Sequence, residues 1–205
     1  MTQAELSKGS SQTGFAGHIH LVRHGKPDLP ARGWLSRAGF TVWWADYGRV
    51  GLVASHQAPA VLQEIAARAV TIVASPVPRA RETAMALAVG RDIVVDEIYE
   101  EAPLPAPLIL PYFRMSPVFW GITARFIWWL GYSGGGESRY EVELRVREAA
   151  DRLIELAADC GGDVLLCGHG WFNHMAAREL KRRGWIKIKG GGERFWDHKT
   201  FASPV

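Results

Sequence analysis

The chain has 205 residues, of which 48% are hydrophobic and 22% charged, so it can bury a core and is not an unstructured tail. Its net charge is only +3 and no long Lys/Arg stripe accompanies it, which argues against a nucleic-acid partner. Two cysteines, Cys160 and Cys167, are too few for a disulfide framework and do not have the spacing of a metal pair. Free thiols favour a cytoplasmic protein.

No segment of the sequence predicts export or membrane insertion. Residues 1–17 are rich in Ser, Gly and Gln and lack an apolar stretch, so we expect a flexible N-terminal arm rather than a secretory signal. The most apolar segment, residues 107–132, is interrupted by Arg114 and Arg125 and falls short of the roughly 20 apolar residues that a transmembrane helix requires. Contact with a membrane surface stays open.

Short apolar strands alternate with helices along the chain. Strands are predicted at residues 18–23, 70–74, 93–95 and 163–168. Helices are predicted from about residue 59, over 79–87, over 117–130, from the Ser138/Glu141 capping box onward, and over 171–183, whereas residues 28–57 are expected to be irregular. This alternation is typical of a parallel sheet covered by helices on both faces.

We therefore predict a three-layer α/β/α sandwich with a mostly parallel central sheet. Residues 18–205 are expected to form one domain, in which residues 97–136, rich in Pro and Trp, are an inserted helical lid. In such sheets the ligand lies beyond the carboxyl ends of the strands.

Three segments follow the best-defined strands and should meet at that edge. They are Arg23-His24-Gly25, Ser75 through Arg79, and His169-Gly170. Arginine presents a planar fork that matches phosphate oxygens, and a helix beginning near Pro78 adds its positive end to the same place. A neutral, oriented histidine beside such a clamp can attack phosphorus. The sequence therefore predicts a pocket for a phosphate dianion.

These segments resemble the histidine phosphatase superfamily (phosphoglycerate-mutase-like proteins). Leu21-Val22-Arg23-His24-Gly25 resembles the signature at the end of the family's first strand. The segment from Ser75 to Ala84 is similar to the segment with the second arginine, which places Arg79 at the phosphate. The segment from Leu165 to Gly170 is similar to the segment with the second histidine.

The resemblance implies a phosphatase in which His24 accepts the phosphoryl group and water then releases it. Arg23, Arg79 and His169 would hold the phosphate of a small-molecule substrate, beside Gly25 and Gly170. It implies no metal and no organic cofactor. The acid/base glutamate is expected after the third strand, at Glu101 or its neighbour Glu100, of which we favour Glu101.

The sequence departs from the mutase and fructose-bisphosphatase branches of that family. Lys26-Pro27-Asp28 stands where those branches have a Ser or Thr and soon an Asn. Ala102-Pro103-Leu104-Pro105 replaces their Gly-x-Trp-Glu-Gly pattern. These differences argue against mutase activity and favour a phosphatase.

Two other functions remain open from the sequence. A catalytically silent relative would bind a phosphorylated ligand through the same arginines and histidines without a proton donor. A metal-dependent hydrolase would use His18, His20 and His24, which share one face of a strand, as zinc ligands. Arg23 and Arg79 argue against the metal because they would repel a cation.

The lid carries an unusual concentration of aromatic residues. Trp120, Trp128 and Trp129 cluster with Phe119 and Phe126. They are expected to pack the lid's own core, and the alternatives are an apolar substrate pocket, a homodimer surface or contact with a membrane face. Together with Trp34, Trp43 and Trp44 they favour a substrate that has an apolar or aromatic part.

Overall fold

The computed structural model describes residues 17–55, 57–108 and 112–204, which contain six strands and six α-helices. The strands are β1 (Ile19–Arg23), β2 (Thr71–Ala74), β3 (Val94–Val95), β4 (Val164–Gly168), β5 (Ile186–Gly190) and β6 (His198–Ala202). The helices are α1 (Arg37–Arg49), α2 (Ala60–Arg68), α3 (Pro78–Ala88), α4 (Pro117–Trp129), α5 (Arg139–Asp159) and α6 (Gly170–Arg182). In this part of the chain no helix has the length and apolarity needed to cross a bilayer.

The strands form one sheet in the order β3-β2-β4-β1-β6-β5. The first four of these strands run parallel, β6 is antiparallel to β1, and β5 is antiparallel to β6. The predicted mostly parallel sheet is confirmed. Because β1, β2 and β4 are parallel neighbours, the segments that follow them meet at one edge.

Helices cover both faces of the sheet. On one face, α5 and α6 pack on alternate sheet residues such as Leu21 and Leu166. On the other face, α2 and α3 pack on the intervening residues, such as Val22 and Leu165. Neighbouring strand residues point to opposite faces, so two buried cores arise from strands that are apolar throughout.

The longest helix, α5, begins where its sequence signal predicts. The Ser138 side chain accepts a hydrogen bond from Glu141 N–H, and the Glu141 carboxylate accepts one from Ser138 N–H. This capping box satisfies two backbone donors at the start of the helix. The residues predicted for its inner face, Val142, Val146, Ala149, Leu153 and Ala157, are all buried.

Residues 28–57 were expected to be irregular, and this expectation is wrong because they contain α1. Ser36 caps this helix by accepting a hydrogen bond from Gly39 N–H, and Phe40 is its one buried residue. The aromatic residues Trp43, Trp44 and Tyr47 line a cleft instead of the main core. The helix therefore lacks the single apolar stripe by which helices are recognised in a sequence. Strands β5 and β6 were also not predicted.

The predicted lid, residues 97–136, is attached to α1. Trp120 and Ala124 of α4 form a small core with Phe40 and Leu104. The backbones of Leu35 and Met115 are joined by two hydrogen bonds. The division into an N-terminal arm and a single domain stays a prediction, and residues 1–16 of that arm lie outside the described residues.

Candidate active site

The His24 ring is held in one tautomer at the end of β1. Its Nδ1 lies 2.8 Å from the carbonyl oxygen of Gly25, so Nδ1 carries the proton and donates it. The lone pair is therefore on Nε2, which accepts a hydrogen bond from Arg79 Nε at 3.2 Å. A neutral imidazole with its free nitrogen turned toward a guanidinium is the arrangement that attack on a bound phosphoryl group needs.

Arg79 connects the two histidines that the sequence places at separate strand ends. It lies in the first turn of α3, is 2% exposed, and directs Nη2 to His169 Nδ1 at 3.4 Å. Its Nη1 donates to the Tyr47 carbonyl, and its Cζ lies 4.2 Å from the centroid of the Tyr47 ring. Arg79 is thus fixed from three sides.

His169 is also held in one tautomer. An arginine can only donate, so His169 Nδ1 accepts the hydrogen bond from Arg79. The proton is then on Nε2, which lies 2.9 Å from Ser75 Oγ. The centroids of the His24 and His169 rings are 5.3 Å apart.

Both site histidines are neutral at physiological pH. Burial, followed by the positive charge of Arg79, holds the pKa of His24 well below its usual value of 6.5. Burial likewise holds the pKa of His169 well below 6.5, with smaller contributions from His24 and the nearby arginines. Neutral His24 keeps the lone pair available on Nε2.

Arg23 lies beside this pair, under a strap formed by residues 193–196. Its guanidinium donates to the carbonyl of Glu193 and lies 4.8 Å from the centroid of the Phe195 ring. Within the described residues its buried Nε has no hydrogen-bond partner. A Cβ on Gly170 would lie 3.3 Å from Arg23 Cζ, so this glycine permits the guanidinium to pack on the start of α6.

The two candidate glutamates face different environments. The Glu101 carboxylate accepts hydrogen bonds from the backbone N–H groups of Trp171 and Phe172, in the first turn of α6. Because His169 is the N-cap of this helix, the Glu101 carboxylate lies near the histidine pair, and its charge opposes the lowering of the Arg79 pKa by burial. Glu100 is exposed and lines an open depression elsewhere.

Comparison with known proteins agrees with this geometry. The family model "Histidine phosphatase superfamily (branch 1)" matches residues 19–189. The chain belongs to the histidine phosphatase superfamily. The predicted family and enzyme class, a phosphatase, are confirmed by this match. No curated protein matches the sequence significantly.

Solved structures similar to this histidine phosphatase share its fold. A mycobacterial glucosyl-3-phosphoglycerate phosphatase has a TM-score of 0.56 and 22% identity, covering 81% of this chain and 80% of that chain. A structure described as mycobacterial hydrolase 1 has a TM-score of 0.60 and 20% identity, covering 91% and 89%. The ecdysone phosphate phosphatase of Bombix mori has a TM-score of 0.54 and 16% identity, covering 92% of each chain.

In this histidine phosphatase an aromatic cleft of about 580 Å³ opens beside His24. Tyr47 and Phe195 line it, and their ring centroids lie 6.4 and 5.6 Å from that of His24. Trp43 and Trp44 stack on Tyr47 at 5.2 and 5.3 Å and extend the wall. Trp34, expected in the same wall, is 73% exposed and does not line the cleft.

The structure adds residues to the site that the sequence did not identify. Tyr47 lies in a segment that was expected to be irregular, and Phe195 and Trp196 follow a glycine-rich turn with no recognisable motif. Thr83 accepts a hydrogen bond from Gly25 N–H and donates one to the Arg79 carbonyl. It lies four residues after Arg79 on one helix face, within the segment from Ser75 to Ala84 that resembles the family motif, and these two signals could have identified it.

The three histidines of the alternative metal site are not brought together. His18 Nδ1 and His20 Nε2 contact the carboxylate of Asp163 at 3.0 and 3.3 Å, near the start of β1. His24 follows the end of that strand, and four residues of extended chain place it about 13 Å from His20. Across residues 17–55, 57–108 and 112–204, no group of three His, Cys, Asp or Glu could hold a metal ion.

Proposed function

We propose that the protein hydrolyses a phosphate monoester through a phosphohistidine intermediate on His24. The observation that carries this proposal is the placement of the unprotonated His24 Nε2 against Arg79, whose guanidinium also reaches His169. In the first step Nε2 forms a bond to phosphorus while the bond from phosphorus to the ester oxygen breaks. Glu101 acts as the general acid that supplies a proton to the leaving alkoxide.

In the second step water replaces the histidine. The Glu101 carboxylate takes a proton from the water, the water oxygen forms a bond to phosphorus, and the P–N bond breaks, which regenerates neutral His24 and releases phosphate. Arg79 and Arg23 stabilise the negative charge that develops on the phosphoryl oxygens. Support for Arg23 comes from its buried Nε, which has no protein partner in the described residues.

His169 has a role that depends on its proton. In the structure Nδ1 accepts from Arg79 and Nε2 donates to Ser75, so Nδ1 has no proton to offer. A phosphate dianion beside the ring favours the protonated form, in which Nδ1 donates to a phosphoryl oxygen. We propose that His169 Nδ1 takes up a proton from solvent when substrate binds and gives up the hydrogen bond that it accepts from Arg79.

We also propose that the leaving group carries an apolar or aromatic part. The named activities of the similar structures pair this fold with quite different phosphate esters, so the lining of the cleft must decide. Trp43, Trp44 and Tyr47 give that lining an aromatic wall, and Leu104 contributes an aliphatic side chain. Residues 97–136, as a lid, would supply part of this wall.

The reaction is tested with an aryl phosphate from about pH 5 to about pH 8, with and without a chelator. We expect activity that survives the chelator and falls by roughly 10³-fold or more in His24→Ala. When the ester carries ³²P, quenching without acid should leave labelled protein for the wild type only. Loss of activity with the chelator would favour a metal-dependent hydrolase. Phosphate binding without turnover would favour a silent binder.

The substrate class is tested by comparing kcat/KM for naphthyl phosphate and glycerol phosphate. We expect the aromatic ester to be preferred, and Trp43→Ala to reduce that preference by roughly tenfold, because its ring forms part of the wall. Trp34→Ala is the matched control, because Trp34 lies outside the cleft. A large preference for the small polar ester in the wild type would contradict the proposal.

A further inference from the structure

Two segments that contribute to the wall of the cleft have an unusual charge pattern. Residues 29–45 and 102–136, here called the apolar cap, contain no Asp, Glu or Lys, although Asp and Glu together number 21 in the chain. Their charged residues are four arginines, Arg32, Arg37, Arg114 and Arg125. The cap is therefore both strongly apolar and purely basic.

Helix α4 of the cap exposes an apolar face. Its exposed residues recur at spacings of three and four, which places them on one side of the helix. They are Val118, Phe119, Ile122, Phe126, Trp129 and Leu130, each between 45% and 67% exposed. Core packing does not require large aromatic side chains in these positions, and an exposed patch of this kind marks an interaction surface.

Basic side chains flank this face at both ends. The backbone pairing of Leu35 with Met115 brings the segments that carry Arg37 and Arg114 to the start of α4. At the other end, Arg139 Cζ lies 3.9 Å from the centroid of the Trp129 ring, and Arg139 also pairs with Glu143. An apolar helix face with Trp near one end and arginines around it fits the boundary between lipid headgroups and acyl chains.

The charge pattern distinguishes a membrane from a second copy of the chain. In a twofold interface the same patch meets itself, so the cap would set its arginines against one another, and the cap itself contains no Asp or Glu to compensate them. An anionic lipid surface supplies the opposite charge, so each arginine near that surface should strengthen binding several-fold.

We propose that the apolar cap docks on an anionic phospholipid surface through the exposed face of α4. Val118 and Gly121 line both the catalytic cleft and an outer apolar depression of about 590 Å³. Docking thus places the mouth of the cleft at the lipid boundary. The interaction does not depend on the phosphohistidine chemistry, so His24→Ala binds lipid as the wild type does.

The test is flotation of the full chain with vesicles of equal parts phosphatidylcholine and phosphatidylglycerol, against vesicles of phosphatidylcholine alone. We expect binding to the anionic vesicles that weakens with added salt. The double variant Phe119→Ser/Phe126→Ser loses about tenfold or more in binding. Arg114→Gln loses roughly fivefold.

The matched control is Ile186→Ser/Ile188→Ser on strand β5, where both side chains are also more than half exposed. This variant is expected to bind as the wild type does, and thermal unfolding checks that both double variants are folded. Equal binding to both vesicle types, no binding to either, or unchanged binding of Phe119→Ser/Phe126→Ser would overturn the proposal. So would self-association without vesicle binding that the same variant abolishes, because the face would then be a dimer interface.

Discussion

Arg79 Nε lies 3.2 Å from His24 Nε2, and both side chains are almost completely buried. The contact has two consequences. The guanidinium opposes protonation of the imidazole, because a second positive charge would stand beside it without solvent. In the proposed mechanism Arg79 also binds a phosphoryl oxygen, so the same residue would help to keep His24 neutral and attract the group that His24 attacks.

The pH dependence of activity should reflect this contact. Burial and Arg79 hold the pKa of His24 well below 6.5, so the neutral form persists as the pH falls through 6.5. We expect kcat/KM to be retained below that pH and to decline only at more acidic values. In Arg79→Gln one cause of the low pKa is removed, so the acid limb should move upward while kcat/KM falls.

The His24 pKa itself can be measured by NMR of imidazole-labelled protein. Arg81→Gln is the matched control, because Arg81 lies on the same helix and is exposed. An acid limb near 6.5 in the wild type, or one that does not move in Arg79→Gln, would contradict this explanation.

Glu101 and Glu100 offer a matched pair for the proton donor. We expect Glu101→Gln to reduce kcat by roughly 10²- to 10⁴-fold for an alkyl phosphate, whose leaving oxygen needs a proton. The loss should be much smaller for a nitrophenyl phosphate, whose leaving group is stable as an anion. Glu100→Gln should change neither rate because Glu100 is exposed away from the histidines. Equal losses for both esters in Glu101→Gln would indicate a structural role only.

The sequence could predict those parts of the site that lie just beyond the ends of strands. His24, Arg79 and His169 each follow a short apolar strand, and parallel strands bring such positions together in any fold of this class. Predicting that these three residues converge therefore required only the positions of the strands and their parallel direction. The orientation of the His169 ring was not predictable, because it depends on contacts with the side chains of Ser75 and Arg79.

The walls of the cleft could not be predicted for a different reason. Tyr47 reaches the site because α1 packs against α4 through the contact of Phe40 with Trp120, which joins segments distant in sequence. Phe195 arrives from a strap between two strands that were not predicted. Neither position has a local pattern, since its neighbours are determined by tertiary packing.

Stability should also depend on pH through the buried histidines. The folded-state pKa values of His24 and His169 lie below the unfolded value of 6.5, so the unfolded chain binds protons first. Their contribution to the free energy of unfolding is fully present above pH 6.5 and is lost as the pH falls below that value. We expect the free energy of unfolding to decrease by up to about 1.4 kcal/mol per pH unit for each histidine.

Denaturant unfolding at a series of pH values measures this slope. His169→Asn should flatten it, whereas His174→Asn should change it less, because the His174 side chain is 46% exposed. A free energy of unfolding that is independent of pH below 6.5 in the wild type would exclude neutral, buried histidines in the folded state.

The last prediction concerns the contact between Gly25 and Trp196. A Cβ on Gly25 would lie 2.5 Å from the Trp196 indole, which is itself buried and cannot easily move. Gly25→Ala should therefore destabilise the fold by about 1–3 kcal/mol and displace the carbonyl that fixes the His24 tautomer, so kcat/KM falls as well. Gly48→Ala is the matched control, since nothing lies near its added methyl group in α1 and alanine favours the helix by roughly 0.5–1 kcal/mol. In Gly48→Ala the temperature of thermal unfolding should therefore rise slightly while kcat/KM stays unchanged, and equal effects of the two substitutions would show that the indole contact does not position His24.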